Sequence, residues 1–266
     1  MSKISIKQLF TYPFKGLSPQ LQESVYLKTG HGIPGDRAFT LMYQDATTAI
    51  SDTKHIPWMK KQNFAMQNDW HALAALDCNY DTITENLTIK RKGIQLLVAN
   101  TNTLEGRDRI STFFTGYLAA SYPSQAAKNR QSKPLQLVGE YNKTRYPDRE
   151  PVHISLVSQA TIDNLSEIAG KQIDVRRFRP NLLIDGVSAW GEFDWIGKHI
   201  KIGSAIIEVT APINRCLNID VNPETGERDI NLLALLPKHF QHSQTGVVAK
   251  IISDGNVANG DLIIPC

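Results

Sequence analysis

The chain has 266 residues, 41% of them hydrophobic and 21% charged, with a formal net charge of +3. That length holds one large domain or two of ordinary size, with ample core, and the composition is that of a soluble globular protein. The small charge argues against a nucleic-acid partner, which needs a clustered basic face, and with no apolar run near the roughly 20 residues that cross a bilayer, no membrane partner is expected.

Ile4–Leu9 alternates with period two and predicts a half-buried strand. Gly30-His-Gly32 and Ile33-Pro-Gly35 punctuate a turn before a strand at Phe39–Tyr43. Leu87–Val98 predicts a hairpin turning near Lys92-Gly93. A helix is expected over Arg109–Ala120, with Thr115-Gly116 inside it, and the polar, aperiodic Ser121–Lys133 is expected to be a linker. Strands at Leu135–Val138 and His153–Val157 follow, then a helix over Gln159–Ala169 capped by Ser158 and ended by Gly170. Further strands are expected at Asn181–Ile184, His199–Ile202 and Ala205–Val209, and a short helix at Ile230–Leu236 stopped by Pro237. Val247–Ile252 and Asp261–Ile264 complete the set. Many short strands, few helices and no βαβ alternation predict a mainly β protein of β-barrel architecture.

Cysteines stand at 78, 216 and 266, with no Cys-x-x-Cys. With an N-terminus lacking the apolar core of a signal peptide, this predicts a reduced, cytoplasmic setting. One thiolate cannot build a zinc site, which takes three or four protein ligands. Cys216 is therefore a buried structural thiol, a covalent nucleophile, or the single protein ligand of a metal whose other ligands arrive with a cofactor. The basic run Arg176-Arg-Phe-Arg179 is either a solvated strand entry or an anion contact.

Arg177-Phe-Arg-Pro-Asn-Leu-Leu-Ile-Asp-Gly186, Trp195 with Ile202-Gly203, Arg215-Cys216 and Val221-Asn-Pro-Glu-Thr-Gly226 together resemble the MOSC domain. Tyr12-Pro-Phe-Lys15, Gly35-Asp-Arg37, Glu105-Gly-Arg-Asp108 and Phe114-Thr-Gly-Tyr-Leu118 resemble the small β-barrel domain that precedes it in YcbX-type proteins and the mitochondrial amidoxime-reducing component. The resemblance implies an N-terminal β-barrel-like domain over residues 1–122 and a MOSC β-barrel domain over residues 123–266. It implies a molybdenum–pterin cofactor with Cys216 as its metal ligand and catalytic residue. Lys15, Arg37, Thr115, Arg179 and Asn181 are its nominated phosphate donors, with Arg215 beside the thiol, where an adjacent cation favours thiolate. Relatives often carry hydroxyl residues where this chain has Gly16, Gly116 and Asn214; a glycine N–H or the Asn214 amide can still donate to the cofactor.

The implied activity is reduction of a small N-oxygenated substrate, such as an N-hydroxylated base or amidoxime. Electrons would come from a separate donor protein, a reductase, ferredoxin or haem protein, since no nicotinamide or flavin fingerprint is visible. Neither an iron–sulfur cluster nor a pyridoxal-phosphate domain is expected in this chain. Two alternatives stay open: sulfur transfer through a Cys216 persulfide, and non-catalytic carriage of the cofactor.

Overall fold

A computed structural model of the chain describes residues 3–44, 53–148 and 150–265; Cys266 lies outside them. The first strands are β1 (Ser5–Thr11), β2 (Gln20–Gln22), β3 (Ser24–Leu27) and β4 (Phe39–Tyr43). A hairpin sheet follows, of β5 (Asp77–Asp81), β6 (Asn86–Arg91) and β7 (Ile94–Asn100), before the helix α1 (Leu104–Ala119). Then come β8 (Leu135–Gly139), β9 (Ile154–Ser158), α2 (Gln159–Ala169) and β10 (Leu182–Asp185). The rest is β11 (His199–Ile202), β12 (Ala205–Asn214), α3 (Leu232–Phe240), β13 (Gln244–Ser253), β14 (Gly255–Ala258) and β15 (Ile263–Pro265). The protein is mainly β.

The largest sheet has the order β15-β11-β12-β13-β9-β10-β1-β2. Its ladder is open, not the closed barrel expected. The two flanks nevertheless meet: Ile6 N donates to Asp261 O, Gly260 N to Ile6 O and Ile263 N to Ile4 O, at 2.8–2.9 Å. Inward residues of this sheet, among them Ile6, Leu9, Leu156, Ile184, Ile207 and Val247, form one core. Each is nearly or fully buried, and burying a side chain of this kind stabilises the fold by about 1.5–3 kcal/mol. Both β1–β10 and β4–β8 pair strands from opposite sides of residue 122.

A second core gathers Phe14, Phe39, Trp70, Tyr80, Ile110 and Phe114 between β4, the β5–β7 sheet and α1. Within α1 the Glu105-Gly-Arg-Asp108 motif has a packing role. A Cβ on Gly106 would lie 2.0 Å from the Asn100 carbonyl oxygen. Arg107 donates to the carbonyls of Thr101, Leu137 and Gly139, pinning the helix to β8.

Local signals placed several elements well. Ser158 caps α2 by accepting from Thr161 N, and Gly170 ends it in the left-handed region at φ 66°. The β6–β7 turn uses Lys92 and Gly93 at φ 50° and 78°. Three expectations are corrected. The 121–133 stretch is not wholly irregular, since Gln125–Arg130 forms a 3-10 helix. Pro237 lies inside α3, where burial of Leu232 and Leu236 outweighs one forfeited backbone bond. Arg176–Arg179 is not a strand entry but the end of a 3-10 turn over Val175–Phe178, capped by Arg179 at φ 53°.

Candidate functional site

A cavity of about 390 Å³ opens where the β1–β4 segment meets the loops after β8, before β10 and after β12. Among the described residues its lining holds six arginines and two lysines but only two carboxylates, Asp69 and Asp148. Lys15, Gly16, Arg37, Arg179, Asn181, Asn214, Arg215 and Cys216 all line it. Thr115 and Gly116 do not: α1 turns Thr115 toward β8 and leaves Gly116 exposed. The Thr115 hydroxyl donates to Ser111 O at 2.8 Å and accepts from Leu135 N at 2.9 Å, so its hydrogen-bonding capacity is spent on the fold.

Cys216 is exposed, which removes the buried-thiol reading. Strand β12 stops at Asn214, and Cys216 starts the 3-10 turn Leu217–Asp220, so Arg215 sits on irregular backbone. Strand alternation therefore does not separate Arg215 from Cys216, and both reach the cavity. Arg215 N is fixed by Ser243 O at 2.8 Å. Its guanidinium donates to Phe178 O at 2.9 Å and to Thr245 O. Burial pulls Arg215 down to about 10, opposed by the nearby Cys216 sulfur; it stays cationic at neutral pH. Asn214, on the last ladder position of β12, is exposed and pairs with Gln244.

Arg37 and Arg179 sit deeper. Arg37 forms an ion pair with the fully buried Asp36, which also accepts from Arg145 at 3.0 Å and from Tyr12 N at 2.9 Å. Burial alone would raise the Asp36 carboxyl, but Arg37, Arg145 and the Tyr12 N–H hold it below the ordinary range. Arg179 donates to Leu17 O at 2.6 Å, and burial pulls it down to about 10. Asn181 does not share a strand face with Arg179, since β10 begins only at Leu182. Its side chain is committed to backbone: Oδ1 accepts from Ser155 N at 3.2 Å and Nδ2 donates to Phe10 O at 3.3 Å. It holds the cavity wall together, with one of the two Nδ2 hydrogens given to Phe10 O.

Lys15, 2% exposed, donates to Tyr146 O at 2.8 Å and to Asp148 Oδ1 at 2.5 Å. Burial pulls the ammonium below its ordinary range against the pull of Asp148. Asp148 is itself 66% exposed at the mouth, and Lys15, Arg37 and Arg179 hold its carboxyl at about 2. Gly16 has φ 86°, and a Cβ there would lie 2.9 Å from Ala65 O. A hydroxyl side chain at this position would have to displace the 61–69 segment that forms the outer wall.

Sequence reasoning missed Arg145, Asp148 and the ring of Tyr12, and reached Arg177 only as part of the basic run Arg176–Arg179. Arg145 and Asp148 lie in a charged, Pro-rich loop with no motif, so only the fold brings them to the site. The cavity can hold an anion against converging cations beside a soft sulfur donor. The Nε–H groups of Arg145, Arg177 and Arg215 are buried without a hydrogen-bond partner among the described residues, and while Asp36, Asp69, Asp148 and Asp229 pair with other cations of the lining, Arg179 and Arg215 are held by backbone carbonyls. Both features suit a phosphorylated, thiolate-anchored cofactor.

The MOSC domain matches residues 143–264. Molybdenum cofactor sulfurase of Caenorhabditis elegans is 23% identical over 263 residues, covering 97% of this chain and 35% of the sulfurase. Mitochondrial amidoxime-reducing component 1 of Danio rerio is 29% identical over 133 residues, 46% of this chain and 40% of that protein. Mitochondrial amidoxime reducing component 2 of Bos taurus is 24% identical over 237 residues, 85% of this chain and 68% of that protein. The chain thus spans about a third of the sulfurase and two-fifths of the zebrafish relative. Among the described residues no helix is long and apolar enough to cross a membrane. The C-terminal part of this chain, residues 143–264, is a MOSC domain.

Proposed function

We propose that the protein holds a molybdenum–pterin cofactor in this cavity and acts as a reductase of small N-hydroxylated compounds, supplied with electrons by a separate protein. The observation that carries the reading is the convergence of Lys15, Arg37, Arg179 and Arg215 on one cavity beside the exposed Cys216. Relatives named as amidoxime-reducing components support the reaction class. When bound, the cofactor would supply two-electron redox chemistry and an acceptor for the substrate oxygen.

The protein's own contribution follows from its residues. Cys216 offers a sulfur ligand, the soft donor a thiol-preferring metal selects, with the Arg215 guanidinium next to it in sequence. Arg37 and Arg179 would bind the phosphate through charge-assisted hydrogen bonds, which are shorter and stronger than neutral ones. Lys15, capped by Tyr146 O and Asp148, adds charge from the opposite wall. Asn181 keeps β1, β9 and the turn before β10 in register beneath the site.

Metal and pterin analysis of freshly purified protein tests the binding, and an assay on an N-hydroxylated base tests the reaction. Stoichiometric molybdenum and pterin are expected, with turnover on a chemical electron donor or NADH plus a reductase but none on NADH alone. Protein devoid of both would overturn the reading. A second reading has its own support: the sulfurase relative aligns with 97% of the chain, and Cys216 is open to solvent. Sulfane sulfur on Cys216 without molybdenum would select a persulfide carrier.

A further inference from the structure

Arg37 and Arg179 carry like charges, yet both guanidinium carbons lie over the ring of Tyr12, at 4.8 and 4.2 Å from its centroid. Tyr12 is fully buried, and its hydroxyl has no hydrogen-bond partner among the described residues. The ring is therefore not anchored through its oxygen. The backbone is: Tyr12 N donates to Asp36 Oδ1 at 2.9 Å, and Arg37 N donates to Tyr12 O at 2.6 Å. The same residue thus fixes the loop that carries Arg37 and lies beneath the side chain of Arg179. Arg37 Nη2 also reaches the backbone carbonyl of Arg179 at 3.5 Å.

We propose that Tyr12 is the positioning residue of the anion site: its aromatic ring holds the Arg37 and Arg179 guanidiniums together as a single clamp for a phosphate-like oxyanion. The proposal rests on the cavity being the anion site of the reading above. The electron-rich face of an aromatic ring attracts cations, most strongly where water is excluded. Together with Asp36, which pairs with Arg37, it offsets the repulsion between the two guanidiniums. A pair already aligned binds its ligand without the ordering loss that two free arginine side chains would incur. An aliphatic side chain could fill the same volume without either effect.

The test uses the full-length, cofactor-free protein and inorganic pyrophosphate as the probe, followed by titration calorimetry at low salt. Tyr12→Phe keeps the ring and is expected to bind within about twofold of the unaltered protein, since the hydroxyl has no partner. Phenylalanines bearing one, two and three fluorine atoms at position 12 keep the size but drain the ring face. They should weaken binding stepwise, by roughly tenfold in total, with unchanged thermal midpoints. Tyr12→Leu should weaken it at least as much. A flat fluorination series, a Phe variant as weak as the Leu variant, or no pyrophosphate binding by the unaltered protein overturns the proposal. Pterin analysis separates the two ideas: protein that lacks pterin but shows the fluorine dependence loses the cofactor and keeps the clamp.

Discussion

Arg37 and Arg179, 142 residues apart in sequence, share one backbone conformation and one platform: each has φ 53°, and each lays its guanidinium over Tyr12. Left-handed backbone is uncommon outside glycine and costs on the order of 1 kcal/mol or more per residue. Two such residues meeting at one cavity fit a site whose geometry is set before its ligand arrives.

Removing either arginine should empty the site more than it unfolds the protein. Arg37→Ala and Arg179→Ala each delete charge-assisted donors worth about 1.5–3 kcal/mol. Pterin affinity is expected to fall roughly ten- to a hundredfold, read as pterin content after identical purification. Unchanged content in both variants would place the anion elsewhere.

The two described cysteines should behave in opposite ways. Cys216→Ser replaces an exposed soft donor with a hard, poorly ionised one and is expected to abolish molybdenum retention. Cys78 is 2% exposed, and burial pushes its thiol well up. Cys78→Ser should retain molybdenum, and in cofactor-free native protein iodoacetamide should label Cys216 and spare Cys78. Molybdenum retained at full level in Cys216→Ser would remove the ligand role.

Thr115→Val is expected to cost stability, not cofactor. The hydroxyl joins α1 to β8 by accepting from Leu135 N, and losing that part-buried bond costs about 1 kcal/mol. Denaturant unfolding should show a lower midpoint with an unchanged slope, while pterin content per folded molecule stays level.

Asp148 occupies the mouth as an internal counter-anion. Asp148→Asn removes that competitor, so pyrophosphate should bind a few-fold more tightly, an effect that shrinks with added salt. The pH dependence has a definite direction. The folded carboxyl lies at about 2, below its unfolded value near 4. Its stabilising contribution is therefore complete above about pH 4 and disappears as pH falls toward 2. Because Asp148 is largely exposed, the effect is small. Acid unfolding curves of the Asn variant should be shallower across that interval; identical curves would show that the Lys15 pair adds nothing.

Much of the site was legible because its residues sit in short motifs whose chemistry survives without coordinates. Lys15 after Tyr-Pro-Phe, Arg37 after Gly-Asp, and Arg215-Cys216 after a strand all reach the cavity. Thr115 misled because a helix hydroxyl in a motif reads the same whether it faces a ligand or a neighbouring strand. Arg145 and Asp148 were invisible because their relation to Asp36 and Lys15 spans more than a hundred residues and follows no periodicity. Tyr12 was quoted in a motif, yet its role depends on two cation–π contacts that no spacing encodes. The same contrast holds for the fold. Local caps fixed α2 and the β6–β7 turn, whereas the open ladder and its three bridging bonds depend on how far the sheet curls.

The pairing of β1 with β10 sets a timetable for the site. Tyr12, Lys15 and Arg37 leave the ribosome early, but their partners Arg179 and Arg215 follow long after, and β1 has no neighbour in the large sheet except β2 until β10 is made. Pairings this distant form late and slowly. The anion site therefore does not exist on a half-made chain, and the protein must receive its ligand after β10 and the Arg215–Cys216 turn have joined the structure, as a folded acceptor and not as a nascent one.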